Sequence, residues 1–500
     1  MILFYNNSFF QIILAGFLIG VSYHPLNVGW LSWIGFIPLI NVFCKGNFSY
    51  NILNGYLFGI VFNSIAFYWI GNNSGASFGV VISSFIAATL YLSVFWALAG
   101  CIFSIIPLKN RKTIGVFLFP FLIVTIEWVR SFGPLGFPWS NLALTQTDFT
   151  YLIQFIDITG SYGLSFLILC INAILYCSYK QNHFLRYGII PLSIIIIGIN
   201  MVGKARFEFY KFSNKEITVA VVQPNVNPNT KWDKKKEIIE LMKKMHMEAV
   251  TMSPDIVVFP ETALPVYLTR DYKIRNILQE VVDYYNVPLL TGTIDLKYVN
   301  SNKNYYNSAM WLSPNKEYQL YSKIHLVPFA EYDLFPNIFH PLTFLNLNIN
   351  RGHFQPGTDL KLFELKNILF SDLICYESSI PSLAREFINK GSEFLIIQAN
   401  DGWLGDSYGP YQHFELARLR AIENRVPIIR AANTGISGII YPDGSIKEKI
   451  GIGKQKVFME KIKFGENKSL FSIYGDIIAI VCFLVTTLIM GYVCKKQYYS

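Results

Sequence analysis

The chain has 500 residues, of which 52% are hydrophobic and only 15% charged, and its formal net charge is +9. This composition excludes an ordinary soluble protein, in which about a quarter of the residues are charged. The apolar residues form blocks, and several blocks exceed the roughly 20 residues that cross a bilayer core. We predict spanning helices at residues 8–23, 28–44, 55–71, 79–106, 113–130, 151–178, 186–203 and 472–494.

The positions of lysine and arginine predict how these helices are oriented. With the N-terminus inside, the inner loops and the tail hold Lys45, Lys109, Arg111, Lys112, Lys180, Arg186, Lys495 and Lys496. The short outer turns at 24–27 and 72–78 hold no basic residue. Because basic residues accumulate in cytoplasmic loops, residues 204–470 are predicted to lie outside the cytoplasm, although Lys204 and Arg206 favour the opposite orientation.

The first apolar segment is predicted to be a retained helix and not a cleaved signal. It has no basic region before it and no small-residue cleavage site after it. The predicted organisation is a membrane domain at 1–203, a polar domain at 204–470, and a last helix with a short cytoplasmic tail at 471–500.

The polar domain alternates short β-branched runs with helical patterns. Strands are predicted at 216–226, 255–262, 287–295, 367–378 and 392–401, and helices at 231–250, 273–285 and 382–391. This alternation predicts an α/β layered fold in which helices cover a sheet. The lysines of 231–250 fit the solvated face of an amphipathic helix, and no nucleic-acid module is predicted.

Three reactive side chains follow or precede apolar runs of this domain. Glu261 follows "DIVVFP", Lys323 begins "KIHLVPFAEY", and Cys375 ends "LFSDLIC". Loops beyond strand ends collect catalytic groups because the sheet holds them rigidly. Taken singly, each also fits a plain structural role, as a solvated charge or a small buried thiol. Cys375 has no disulfide partner within 204–470, so its thiol is either protected or used.

The motifs around these three residues, and others along the chain, resemble those of known protein families. The segments "FPETA" (259–263), "KIHLVPFAEY" (323–332) and "ICYES" (374–378) resemble the Glu-Lys-Cys triad of the nitrilase, or carbon–nitrogen hydrolase, superfamily. Motifs across nearly the whole chain are similar to the apolipoprotein N-acyltransferase family: "EWVRS" (127–131), "GFPW" (136–139), "VQPN" (222–225), "KW" (231–232), "YYNSA" (305–309), the stretch 398–440 and "YGD" (474–476). One departure is Ala330, where the family more often has glycine.

The resemblance implies a fold and a set of roles. The fold would be a membrane α-helical bundle, seven helices plus one C-terminal helix, with an inserted nitrilase-like αββα sandwich. Cys375 would be the nucleophile, Glu261 the general base and Lys323 the stabiliser of the oxyanion. Four further positions would support the site or bind substrate: Trp232, Glu331, Tyr376 and Glu377.

The resemblance also implies an activity, in a bacterial inner membrane. An acyl chain of a membrane phospholipid would move to Cys375 as a thioester, then to the α-amino group of diacylglyceryl-cysteine in an apolipoprotein. A free thiol has a pKa near ~8.5 and a free Glu near ~4.3, so unaided proton transfer costs about 6 kcal/mol. The pocket must raise the pKa of the carboxylate, stabilise the thiolate, or both. No cofactor is implied, and the histidines form no HExxH pattern, so no metal is predicted.

Two other functions stay open. A membrane-tethered hydrolase would use the same triad with water as the acceptor, and an inactive lipid-binding protein would need none of the three residues. A lipid-facing rim is predicted from Phe329, Phe335, Phe339, Phe344 and the turn 133–139, although each phenylalanine also fits a core position.

Overall fold

The structure is a computed structural model that describes residues 7–181, 184–299, 302–332, 354–466 and 468–498. The chain divides into two compact units. The helical unit comprises Met1–Gly71, Ile82–Tyr210 and Tyr474–Ser500, and the α/β unit comprises Asn72–Val81 and Lys211–Ile473.

Apolar helices build the helical unit, as its hydropathy predicts. Its α-helices are Ser8–Val21, Ser32–Gly35, Ile37–Phe43, Phe48–Ala66, Phe78–Ile105 from Ile82 onward, Leu108–Asn110, Val116–Arg130, Ile156–Lys180, Ile190–Glu208 and Ile477–Tyr498. Among the described residues, five helical stretches are long and apolar enough to span a membrane: Phe78–Ile105, Leu108–Arg130, Leu152–Lys180, Leu185–Glu208 and Ile477–Lys496. That the three earlier segments also span it stays a prediction.

The helix predicted at 55–71 has different bounds, since it begins at Phe48 and ends at Ala66. The side chain of Asn47 caps its start by accepting a hydrogen bond from the Tyr50 N–H at 2.9 Å. Its first turns contain asparagines, which lower the hydropathy there. Asn51 is nevertheless buried, because its side-chain amide donates to the carbonyl of Phe43 at 2.9 Å.

Two six-stranded sheets form the centre of the α/β unit. In the described residues the strands are β1 Phe212–Gln223, β2 Ile256–Val258, β3 Leu289–Val299, β4 Asn302–Leu312, β5 Gln319–Ser322, β6 Phe363–Leu365, β7 Ile368–Ile374, β8 Phe394–Ala399, β9 Ile428–Ala432, β10 Ser437–Ile440, β11 Ile446–Ile450 and β12 Lys456–Gly465. The first sheet has the order β12-β1-β2-β3-β4-β5 and the second β11-β10-β9-β8-β7-β6. In each sheet the central strands run parallel, and antiparallel strands flank them.

Helices cover both sheets, which gives four layers. Val221 of the first sheet and Leu373 of the second belong to one buried core between the sheets. The other face of the first sheet packs against helices Lys235–Thr251 and Tyr272–Tyr285. Helices Pro381–Asn389 and Tyr408–Asn424 pack with the second sheet. The αββα sandwich expected from the sequence is therefore confirmed.

Candidate active site

The predicted strand at 255–262 ends at Val258, and the residues after it form the turn that carries Glu261. Thr262 adopts a φ of +43°, a conformation that non-glycine residues rarely take. Gly292 of β3 passes so close that an added Cβ would lie 2.6 Å from the Glu261 Cα. The backbone of β3 thus holds this turn, and only glycine fits at 292.

Cys375 occupies the equivalent place after β7, where the strand predicted at 367–378 ends at Ile374. The cysteine opens a short 3₁₀ helix, Cys375–Ser379, and its own φ is +54°. This conformation costs about 1–2 kcal/mol for a residue with a Cβ. Hydrogen bonds offset that cost: the Ile374 N–H donates to Glu377 Oε2 at 2.8 Å, and Ser378 Oγ donates to the Cys375 carbonyl at 2.8 Å.

Lys323, directly after β5, joins these two turns through a buried ionic cluster. Its Nζ lies 2.8 Å from Glu331 Oε2 and 4.0 Å from Glu261 Oε1. The Asn307 side-chain amide of β4 donates to Glu261 at 2.7 Å and to Glu331 at 2.9 Å. The thiol of Cys375 hydrogen-bonds Glu261. Four predicted site residues therefore meet in one place, together with Asn307, which the sequence offered only within "YYNSA".

Glu377 ties the loop of Lys323 to the end of β7. Its Oε1 accepts hydrogen bonds from the Tyr321 hydroxyl at 2.8 Å and from the backbone N–H groups of Ile324 and His325 at 2.7 and 3.1 Å. Burial raises the pKa of Glu377 to about 7, against the opposing effect of Lys323 and these donors. Glu377 is thus a buried acceptor that joins the loop after Lys323 to the turn of Cys375.

The pKa values of the cluster are shifted in directions that suit acyl transfer. Burial, with the charge of Glu331, raises the pKa of Glu261, although Lys323 opposes this. Burial and the charge of Glu261 raise the pKa of the Cys375 thiol well above its usual range, while Lys323 lowers it. Burial lowers the pKa of Lys323, but Glu331 and Glu261 reverse this and raise it. The resting thiol is therefore protonated, and Lys323 is charged.

Two predicted supporting residues have other surroundings. Trp232 is 46% exposed, and its ring lies 5.7 Å from that of Tyr267, which lies 6.0 Å from Tyr305. The structure thus places Trp232 in an aromatic row and not in the ionic cluster. Tyr376 is partly buried in the 3₁₀ helix, where its carbonyl accepts a hydrogen bond from Ser379 Oγ at 2.7 Å.

Lys231 is a buried neighbour of Glu261 that the residue pattern did not single out. Its ammonium group donates to the carbonyl of Thr262, the residue after Glu261. Burial lowers the pKa of Lys231 to about 8, while the charge of Glu261 opposes this. In the sequence, Lys231 belongs to the "KW" motif, but the resemblance implies a supporting role only for Trp232.

A second cluster includes Cys375 itself: Cys375, Asp401 and His413 have potential metal-ligand atoms within 4.8 Å of one another. Arg430 donates to Asp401 at 2.7 Å and lies 2.9 Å from His413 Nδ1. Burial raises the pKa of Asp401, but Arg430 and His413 lower it to about 2. A guanidinium already neutralises this carboxylate, so the donor set does not suit a metal cation.

The predicted lipid-facing rim is only partly described. Phe335, Phe339 and Phe344 lie outside the described residues. Phe329 is 44% exposed, as a rim position requires. Trp139 of "GFPW" is buried, with its ring 5.0 Å from that of Trp69, so it is a core residue of the helical unit.

The four-layer fold and the Glu-Lys-Cys cluster define a class, the carbon–nitrogen hydrolases. The family described as carbon-nitrogen hydrolase matches residues 218–468, and the family described as apolipoprotein N-acyltransferase N-terminal domain matches residues 15–174. A solved structure of Saccharomyces cerevisiae Nit3, of the nitrilase superfamily, is 19% identical, with a TM-score of 0.39 over 50% of this chain and 91% of that one.

Full-length relatives narrow the class. An apolipoprotein N-acyltransferase of Geobacter metallireducens is 29% identical over 95% of this chain and 93% of its own length. One of Rickettsia bellii is 32% identical over 89% of each chain. The chain belongs to the apolipoprotein N-acyltransferase family, and it is an enzyme of that family.

Proposed function

We propose that this enzyme transfers an acyl chain from a membrane phospholipid to the N-terminal amino group of diacylglyceryl-cysteine in apolipoproteins, through a thioester on Cys375. The observation that carries the proposal is the convergence of Cys375, Glu261 and Lys323 in one buried cluster. The names of the full-length relatives support the acceptor, and the five apolar helices support a lipid donor.

In the first half-reaction, the Cys375 sulfur attacks the ester carbonyl of the phospholipid while Glu261 accepts the thiol proton. The ammonium of Lys323, fixed by Glu331 at 2.8 Å, stabilises the negative charge that develops on the carbonyl oxygen. The C–O bond then breaks, and the departing lysophospholipid oxygen takes the proton back from Glu261. The acyl chain stays on Cys375 as a thioester.

In the second half-reaction, the acceptor amine attacks the thioester carbonyl and Lys323 again faces the oxyanion. The C–S bond breaks, the amine loses a proton to Glu261, and the Cys375 sulfur regains one. A thioester suits this step because an amine opens it more readily than the original ester.

The proposal includes a location. Residues 1–203 and 471–500 form the membrane part in a bacterial inner membrane, and residues 204–470 form the catalytic domain outside the cytoplasm. The basic residues of the predicted inner loops support this orientation.

Intact mass spectrometry of the purified full chain tests the covalent step. With phospholipid vesicles, wild type should gain the mass of one acyl chain, which hydroxylamine removes, and Cys375→Ser should gain none. Cys494→Ser is the matched control, because Cys494 is an exposed cysteine far along the chain from the site. Absence of an adduct in folded wild type would overturn the proposal.

The acceptor step distinguishes transfer from hydrolysis. Addition of a diacylglyceryl-cysteine peptide should discharge the thioester into an N-acylated peptide. Discharge to free fatty acid, at the same rate with and without the peptide, would instead identify a hydrolase.

A further inference from the structure

His413 contacts the backbone of Cys375, and neither half-reaction described above uses it. It lies in helix Tyr408–Asn424 and is 1% exposed. Its Nε2 lies 3.0 Å from the Cys375 carbonyl oxygen and 2.9 Å from Ser378 Oγ. A carbonyl oxygen only accepts hydrogen bonds, so Nε2 donates to it in two forms of the ring: the imidazolium, which also donates from Nδ1 to Asp401, and the neutral tautomer that accepts from Arg430 at Nδ1.

We propose that His413 is a positioning residue, which orients the peptide unit between Cys375 and Tyr376 so that the Tyr376 N–H faces the developing oxyanion. This inference rests on the proposed function, because it concerns the transition state of acyl transfer to Cys375. The donor that acts on the oxyanion is the backbone N–H, and His413 acts through it.

The geometry of the peptide bond explains how a contact to the Cys375 carbonyl oxygen determines where the Tyr376 N–H points. The unit is planar and trans, so its C=O and N–H point in opposite directions. Two donors fix the Cys375 carbonyl, His413 Nε2 at 3.0 Å and Ser378 Oγ at 2.8 Å, and therefore fix the Tyr376 N–H as well. Lys323 alone supplies a single point charge, whereas oxyanion sites in acyl transfer gain most from several preorganised donors.

The local backbone needs such support. Cys375 has a φ of +54°, so its turn would relax toward an ordinary conformation if the contacts to its carbonyl were lost. Relaxation would rotate the following N–H away from the position it has in the structure. His413 therefore maintains a geometry that the cysteine does not favour by itself.

The imidazole is itself held from behind by a buried ion pair. Its Nδ1 lies 2.7 Å from Asp401 Oδ1, and Asp401 Oδ2 accepts a hydrogen bond from Arg430 at 2.7 Å. Arg430 is fully buried and also donates to the carbonyl of Ile436 at 3.0 Å. This chain of contacts prevents rotation of the ring, which a positioning role requires.

Two rate measurements on Cys375 test the inference. The first is single-turnover acylation by phospholipid, and the second is alkylation by iodoacetamide, a displacement that forms no oxyanion. Loss of one oxyanion donor typically slows catalysis by about 10²–10³-fold. His413→Leu should therefore slow acylation by that factor while alkylation of Cys375, quantified by peptide mass, keeps its wild-type rate and pH profile.

Two amide variants distinguish loss of the hydrogen bond to the Cys375 carbonyl from general disturbance of the fold around His413. His413→Gln places an N–H donor at a reach similar to Nε2 and should restore most of the acylation rate. His413→Asn is too short to reach the Cys375 carbonyl and should stay slow. His246→Leu is the matched control, because His246 is equally buried and neither of its ring nitrogens has a hydrogen-bond partner in the described part of the chain.

The inference is overturned if His413→Leu acylates at the wild-type rate, if His413→Gln is as slow as His413→Asn, or if alkylation slows in parallel with acylation. The last result would mean that His413 acts on the thiol. Failure of the proposed function looks different, because wild type itself would then form no acyl adduct while Cys375 still reacts with iodoacetamide.

Discussion

The charge of Glu261, the proposed general base, depends on its nearest buried neighbours. Glu261 and Glu331 share the amide of Asn307, and Lys323 lies 4.0 Å from Glu261 and 2.8 Å from Glu331. The negative charge of Glu331 disfavours the ionisation of Glu261, and it therefore adds to the effect of burial in raising the pKa of Glu261. Glu331 thus affects the pKa of Glu261 in two opposing ways. It fixes the ammonium of Lys323, which lowers that pKa, and its own negative charge raises it.

Replacement of Glu331 by glutamine should move the acid limb of the acylation rate to lower pH. Glu261 must be deprotonated to act as a base, and removal of a neighbouring anion lowers its pKa. We expect a shift of about one pH unit. The maximal rate should fall too, because an amide cannot accept from Lys323, Asn307 and the Val327 N–H together.

The measurement is the single-turnover acylation rate between acidic and neutral pH for wild type and Glu331→Gln. The exposed Glu317, replaced in the same way, is the control and should leave the limb in place. A limb that stays or moves to higher pH would show that Glu331 does not set the basicity of Glu261.

At the level of elements, helix Phe48–Ala66 shows how a segment of modest hydropathy becomes buried. Small residues let it approach helix Phe78–Ile105 closely: a Cβ at Gly55 would lie 2.2 Å from the Trp96 carbonyl oxygen, and one at Gly59 would lie 2.8 Å from the Ser93 Cα. This small-xxx-small spacing is typical of helix contacts in membranes, where close backbone packing replaces the hydrophobic driving force.

Gly55→Ala should therefore lower the thermal stability of the purified protein in detergent. The added methyl overlaps a backbone atom, and overpacking of this kind costs about 1–3 kcal/mol. Gly198→Ala is the matched control, because a Cβ there meets nothing within 4 Å and alanine favours the helix by about 1 kcal/mol. Far-UV circular dichroism during heating measures both, and equal midpoints would refute the close-packing interpretation.

Local patterns in the sequence were sufficient to predict the strands whose ends carry Glu261 and Cys375. They were insufficient to predict the long-range contact of His413 with Cys375. Hydrophobic runs place Glu261 after β2 and Cys375 after β7, because a polar residue at the end of a buried strand must leave the sheet. The contact of His413 with the Cys375 carbonyl joins residues 38 positions apart. No spacing rule encodes it, since it depends on how helix Tyr408–Asn424 packs against the 3₁₀ helix Cys375–Ser379 and β9.

For the whole molecule, the main remaining prediction is the side of the membrane on which each part lies. The five apolar helices are consistent with a membrane protein, but they do not indicate which end of each helix faces the cytoplasm. The direction comes only from the basic loops, chiefly Lys109, Arg111 and Lys112 on the predicted inner side. The proposed acceptor requires the catalytic residues to face the compartment where lipoproteins mature.

Single cysteines tested with a membrane-impermeant maleimide on spheroplasts decide the orientation. In a background in which the seven native cysteines are replaced, Asn315→Cys, in the exposed turn before β5, should react directly. Thr113→Cys, exposed next to Lys112 in the helical turn Arg111–Gly115, should react only after permeabilisation. So should Cys494, exposed near the end of the last helix, when it is the one native cysteine retained. Positive loops resist translocation, so this pattern follows from the charges alone. The reverse pattern would place the catalytic domain in the cytoplasm and would separate it from its proposed acceptor.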